Sequence, residues 1–340
     1  MTLAPMPLAP RPQPGEAISS WMRRIAARYD LTGDDLAAFI LGKDGSDFDL
    51  SAVDYRCYTD LEAGLSVGAR LSRKAIRSMR LVAPDGSASY WHRHDCAWCV
   101  DCVREDIAQR KECYERAQWR LGCFVICPIH NRRLFMGCIH CTKGSVCSYQ
   151  PVDGLLRLAC CGDGHRLDPA KTANDQDLSE IPFGIEFRSE IKRSIIQLQR
   201  DLQLELAGRI HKPGDRRART PSDLLSIAET ITRAIVVSHG IRFHPRVAQL
   251  LVDGRRLITP AALPIGLALG AMAIIAVLVD RSDSHTMWRP AGRREILDRA
   301  TFTRWLREPA RQLIQRRLRV LRGAAPTVSV SRRANRRLNS

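Results

Sequence analysis

Cys99-Val-Asp-Cys102, Cys127-Pro-Ile-His130 and Cys138-Ile-His-Cys141 are the stretches from which the fold can be read. A C-x2-C turn aims two thiolates at one point, and nearby backbone amides offset their charge, so such pairs recur in structural zinc sites. The C-x2-H pair follows the first C-x2-C after twenty-four intervening residues. Together they supply four donors in two bites, the complement of a closed tetrahedral zinc. The expected fold is therefore mainly α with small zinc-ribbon or zinc-knuckle modules, built around metal and not around one large sheet.

Cys138 and Cys141 open a further knuckle only eight residues after His130, too close to extend the first donor pair, and so point to a second ion. Cys161 and His165 are the expected closing donors, with Cys160 or Cys147 as substitutes, and Gly162 and Gly164 allow the tight turn between them. Cys96-Ala-Trp-Cys99 is also C-x2-C, so spacing alone leaves Cys96 competing with Cys102 for the first site. Cys57, Cys113 and Cys123 read as core or surface thiols, and His92, His94 and His140 as polar neighbours. All of the twelve cysteines except Cys57 lie between Cys96 and Cys161. Free core thiols would not cluster in this way, and metal accounts for it better than disulfides in a reducing compartment.

The chain has 340 residues, 45 % of them apolar, enough for two or three domains with a hydrophobic core. Fifty-three Lys and Arg against thirty-six Asp and Glu leave a formal charge of +17, which favours a polyanionic partner such as DNA. Met1 to Gly15 is rich in Pro and Ala and lacks a basic start followed by an apolar run, so it does not read as a secretory signal. A cytoplasmic location is expected.

Five segments are expected: a Pro-rich leader (1–15), a helical, helix-turn-helix-like region (16–89), a zinc-binding region (90–170), a helical C-terminal domain (171–310) and a basic tail (311–340). Ile18, Trp21, Met22 and Ile25 fall at i, i+3, i+4 and i+7, a helix with one buried stripe, and Arg23, Arg24 and Arg28 are expected on the rest of its surface. Thr32 and Asp35 are in capping-box register, opening a second helix with Leu36, Phe39 and Ile40 that stops at Gly42. Leu61, Leu65, Leu71, Ile76 and Met79 predict one or two more helices before the Pro84-Asp85-Gly86 turn. In the zinc region, short strands and a helix around Tyr114 to Leu121 are expected.

Ile191, Ile195, Ile196, Leu198, Leu202 and Leu206 are spaced as a long amphipathic helix. Ala261 to Val279, nineteen residues without a charged or polar side chain, approaches membrane-spanning length. Pro264, Gly266, Gly270 and several alanines dilute its hydrophobicity and no aromatic belt flanks it, so a buried helix is expected instead. No acid follows Glu308, whereas Arg316, Arg317, Arg319, Arg332, Arg333, Arg336 and Arg337 do, making the tail an unbalanced cationic arm suited to DNA phosphates.

Neither knuckle set looks catalytic, because a catalytic zinc keeps an open water position and these sets are filled by protein donors. The chain lacks a G-x-x-x-x-G-K-S/T phosphate loop and a G-x-G-x-x-G dinucleotide turn. An enzyme is not expected.

Pro14-Gly15-Glu16-Ala17-Ile18-Ser19-Ser20-Trp21 with Arg23-Arg24-Ile25-Ala26 is similar to the opening of TniQ-family proteins. Cys99-Val-Asp-Cys102-Val-Arg-Glu-Asp, Trp119-Arg120-Leu121, Cys127-Pro-Ile-His130-Asn131 and Cys138-Ile-His-Cys141 follow the order of that family's motifs, so the resemblance spans roughly residues 10 to 170. It implies a zinc-binding accessory factor of DNA transposition, linking target DNA or a target-recognition complex to a transposon AAA+ ATPase and its transposase, with self-association among the arrangements open to it. Carried over position by position, its first zinc ligands are Cys99, Cys102, Cys127 and His130. The second set departs from the family's closing C-x2-C, since Cys160-Cys161-Gly-Asp-Gly-His165 has no such pair.

Three other readings compete. A zinc-containing helix-turn-helix transcriptional regulator would use the same arm and need an operator in place of an ATPase. A membrane-attached scaffold would use Ala261 to Val279, and a zinc hydrolase would lose turnover but keep its fold on metal removal.

Overall fold

The computed structural model describes residues 4–42, 48–81, 91–93, 97–138, 147–159, 189–206 and 265–279, with the single positions 95, 161, 163, 165, 228, 232 and 263. Helices predominate among them, joined by two-stranded antiparallel sheets.

Helix α1 (Ile18–Arg28) buries Ile18, Trp21, Met22 and Ile25, the stripe its spacing predicts. Helix α2 (Gly33–Leu41) begins at Thr32, whose side chain accepts from the Asp35 amide at 3.1 Å while Asp35 accepts from the Thr32 amide at 3.0 Å. That reciprocal pair satisfies two of the donors a helix start leaves open. It ends at Gly42, which takes the left-handed conformation (φ 61°) that side chains with a Cβ rarely adopt. After a 3₁₀ turn (Leu50–Asp54) come α3 (Thr59–Gly68) and α4 (Arg73–Ser78), matching the helices expected there. At Gly64 of α3 a Cβ would lie 2.2 Å from Ile40 Cγ2, so the α2–α3 approach depends on glycine. Leu36, Leu61, Leu65 and Ile76 close this first core around α1. The leader is attached to it: the Trp21 indole donates to Pro10 O at 2.8 Å and the Met6 amide to Gly68 O at 2.7 Å.

In the cysteine-rich region a short pair, β1 (Ala97–Trp98) with β2 (Phe135–Met136), flanks α5 (Val100–Ala108). A hairpin, β3 (Ser148–Val152) and β4 (Leu155–Ala159), turns through Asp153 and Gly154. The helix expected around Tyr114 to Leu121 is not formed. Residues 117–120 make a single 3₁₀ turn in an otherwise extended segment, in which Glu16 bridges Arg116 and His92 bridges Leu121. Its backbone groups are taken by neighbouring chain segments, which leaves no i to i+4 ladder to form.

Helix α6 (Ser189–Leu206) appears where the long amphipathic pattern lies, and α7 (Ile265–Val279) packs against it. Ile195, Leu198, Leu202 and Leu206 share one core with Leu269, Met272 and Ile275 of α7 and with Trp98, Cys99, Cys127 and Leu134 of the cysteine-rich region. The apolar stretch is thus a buried helix over its described part, and among the described residues no helix is long and apolar enough to cross a membrane. Pro84 to Gly86 and the whole basic tail lie outside the described residues.

Arg23 and Arg24, expected on the surface of α1, are instead turned inward. Arg24 is 1 % exposed and donates to Glu16 at 2.7 Å and to Glu112, which Arg28 also meets. Arg23 lies 3.5 Å from Glu115, and Arg120 lies 3.2 Å from the same carboxylate. Ser20 Oγ and Tyr149 OH, 2.7 Å apart, both accept from the Glu115 amide at 3.0 Å. A buried layer of charge therefore joins α1 to the cysteine-rich region. Isolated buried charges are costly, which is why each guanidinium here faces a carboxylate.

Candidate metal centre

Cys99 occupies the N-cap position of α5 and Cys102 sits in its first turn, which places both at the positive end of the helix. Cys127 and His130 come from the loop that follows Ile126. The Cys127 amide donates to Arg132 O at 2.8 Å, and the Asn131 amide, in a left-handed turn (φ 54°), donates to Cys127 O at 2.7 Å. That turn folds His130 back over Cys127. All four donor atoms lie within 4.8 Å of one another.

The separations suit a tetrahedral ion. Zinc bonds of about 2.3 Å to sulfur and about 2.0–2.1 Å to nitrogen give tetrahedral edges of about 3.8 Å between sulfurs and about 3.6 Å between sulfur and nitrogen. Cys102 and Cys127 Sγ are 3.7 Å apart, and His130 Nδ1 is 3.4, 3.3 and 3.6 Å from Cys99, Cys102 and Cys127. The other ring nitrogen, Nε2, is 2.9 Å from Glu105 Oε1 on α5. A carboxylate there fixes the tautomer that leaves Nδ1 free to donate its lone pair to a metal.

The electrostatics point the same way. The Cys127 thiol is held far below the ordinary range, first by hydrogen bonds from Cys102 and Cys99 and then by the amides of His130 and Ile129. Cys102 is pushed far up, chiefly by its hydrogen bonds with Cys127 and Cys99 and then by burial. Like charges at these separations repel, so a set of thiolates is favoured by a divalent cation in their midst. The donor set therefore fits zinc, which in such closed sites contributes folding energy and not an open coordination position.

A second group is drawn from residues further along the chain. Cys138 and Cys161 are 3.6 and 3.2 Å from His165 Nδ1, so three of the four expected donors converge. Cys141, expected as the fourth, and the substitute Cys160 lie outside the described residues, as do Cys96, His94 and His140. Cys147, buried at the head of β3, is disulfide-bonded, an exception to the reading of these cysteines as metal donors. Cys113 and Cys123 are buried core thiols and Cys57 is exposed. The DNA-contact candidates Arg316, Arg317, Arg319, Arg332, Arg333, Arg336 and Arg337 all lie outside the described residues.

Two supporting residues were not singled out by sequence reasoning. Glu105 stands three residues after Cys102, and a helix beginning at Val100 puts the two on one side. Recognising that the first knuckle opens a helix would have found it. Asp106, one residue on, takes Arg116 in a two-pronged pair at 3.1 Å per contact. The same guanidinium stacks 4.4 Å from the Tyr114 ring and 4.6 Å from Trp119, holding α5 against the 3₁₀ turn.

Ser19, Asp54 and His92 also meet, but not as a nucleophile and its base. Ser19 Oγ donates to Asp54 Oδ2 at 2.6 Å, and His92 Nε2 lies 3.4 Å from the same oxygen. The carboxylate is central in place of the imidazole, and all three side chains are fully buried, which is the geometry of a structural clasp.

The described residues thus form a structure about half helical, with small sheets and two cysteine and histidine clusters able to hold metal ions. Residues 7–134 match the TniQ family, a span that takes in α1 through α5 and all four donors of the first set, so this part of the chain is similar to TniQ-family proteins. The family is one of accessory factors associated with DNA transposition. No curated protein matches the chain.

Proposed function

We propose that this protein is a zinc-stabilised adaptor of DNA transposition, linking target DNA or a target-recognition complex to a transposon AAA+ ATPase and, through it, to a transposase. The observation that carries this reading is the TniQ match over 7–134, which encloses the convergent set Cys99, Cys102, Cys127 and His130. Structural zinc is supported by the tetrahedral spacing and by the Glu105 carboxylate behind His130. The second set, Cys138, Cys141, Cys161 and His165, is proposed to hold a second zinc. The net charge of +17 supports a DNA contact. The adaptor itself catalyses nothing, and it works in the cytoplasm.

Two measurements test the reading. Elemental analysis of the purified protein is expected to find two zinc ions per chain, falling to one in Cys127→Ser and to one in Cys138→Ser. About 10–16 kcal/mol of apparent binding energy attends a structural zinc, so the Cys127→Ser chain should also lose cooperative unfolding. In a reconstituted assay, the protein should retain the transposon ATPase on target DNA. Absence of zinc overturns the metal assignment. Binding to a discrete operator with no ATPase retention replaces the adaptor with a transcriptional regulator.

A further inference from the structure

Gln199 of α6 is a polar side chain only 1 % exposed, and its amide makes three hydrogen bonds with a loop more than seventy residues away. Its Oε1 accepts from the amides of Val125 at 2.8 Å and Ile126 at 2.9 Å, while its Nε2 donates to Ile126 O at 2.9 Å. Those two residues immediately precede Cys127, and Ile126 bridges Arg133 just beyond His130. The clamp thus holds the base of the loop that carries half of the first donor set. On either side of Gln199, Ile195, Leu198 and Leu202 enter the core that contains Cys99, Cys102 and Cys127.

A buried amide is stable only when its partners keep their place, because each unmet donor or acceptor costs free energy in a dry interior. The backbone groups that Gln199 needs are positioned by a loop closed on itself through the Cys127 and His130 turn. With the three thiols and the imidazole pulled together by an ion, that loop has one shape. Without the ion, only hydrogen bonds among the thiols and the imidazole remain to close it.

From this we infer that the first metal set is the docking platform of the C-terminal helices: Gln199 reads the metal-closed shape of the Val125–His130 loop, so that metal occupancy decides whether α6, with α7 packed on it, is seated or released. The metal would then do more than stabilise the 7–134 region. It would set the position of the C-terminal half, and loss of the ion would free that half as a unit. By linkage the coupling is reciprocal: a loop held by Gln199 retains its metal more tightly than one that is not.

This inference rests on zinc being the resident of the first set, and the test separates the two. Hydrogen exchange is followed by mass spectrometry on the full zinc-loaded chain, with and without a chelator, for wild type and Gln199→Leu. In wild type, chelation should accelerate exchange over residues 189–206 and 265–279 together, by about tenfold or more. The Gln199→Leu chain should show the same acceleration with zinc still bound, and should release zinc to the chelator faster than wild type by a similar factor. If wild type contains no zinc, the reading of the metal centre fails. If zinc is present and is removed while 189–206 stays protected, the coupling fails though the metal reading stands. Should Gln199→Leu not fold, the wild-type chelation arm alone decides between these outcomes.

Discussion

Asp54 lies fully buried between Ser19, His92 and Arg120. Burial opposes its ionisation, yet the hydrogen bond with His92, the Arg120 and His92 charges and the Ser19 hydroxyl together hold it down to about 2. A carboxyl that is more acidic in the folded chain than in the unfolded one contributes stability above its unfolded value, near 3.8, and loses it as pH falls toward about 2. The contribution is on the order of 2 kcal/mol at neutral pH. Glu112 works in the same direction, because Arg24 and Arg28 outweigh its burial. Glu16 works in the opposite direction: burial raises it despite Arg24, so its contribution is full at low pH and lost as pH rises through its folded value. Replacing Asp54 by Asn should therefore lower stability at neutral pH and flatten the acid limb of a denaturation profile between about pH 4 and pH 2. An unchanged acid limb would show that Asp54 does not titrate with folding.

The turn between α1 and α2 is written almost entirely in local chemistry, and it makes an element-scale prediction. Thr32→Ala removes the side-chain acceptor for the Asp35 amide and should lower the denaturation midpoint by the equivalent of about 1 kcal/mol, with little change at α6. A loss no larger than a surface substitution gives would mean that packing of Leu36 alone sets where α2 starts. Features of this kind were legible in the sequence: the α1 stripe, the Thr32–Asp35 box, the Gly42 stop, the α6 periodicity and the paired knuckles each depend on residues a few positions apart. What could not be read depended on distant partners. Arg24 looks like a surface residue until Glu112, eighty-eight positions on, comes to meet it. The segment 114–121 has helical composition, yet pairing with Glu16 and His92 claims its backbone. Gln199 sits in an ordinary amphipathic helix, and nothing near it in sequence announces the Val125 and Ile126 amides it accepts from.

At the scale of the whole molecule, the charge is unevenly spent. Five of the described acids are committed inside the fold, Glu16, Glu112, Glu115, Asp54 and Asp106 each facing an arginine. The net excess of +17 is therefore left for surfaces and for the tail, where no acid follows Glu308. We propose the tail as the phosphate-contacting arm, acting beside the metal-organised body. Protein cations that neutralise DNA phosphates release condensed counterions, and each contact adds about 0.9 to the slope of log K against log salt on B-DNA. Replacing Arg332, Arg333, Arg336 and Arg337 by Ala should then flatten that slope by up to about 3.6 and weaken binding to all sequences alike, because phosphate contacts carry no sequence information. Zinc content and the thermal midpoint should not move, since these residues lie far along the chain from both donor sets. If the slope is unchanged, the excess charge acts from the body of the protein; if affinity falls for one sequence only, the arm reads bases instead of phosphates.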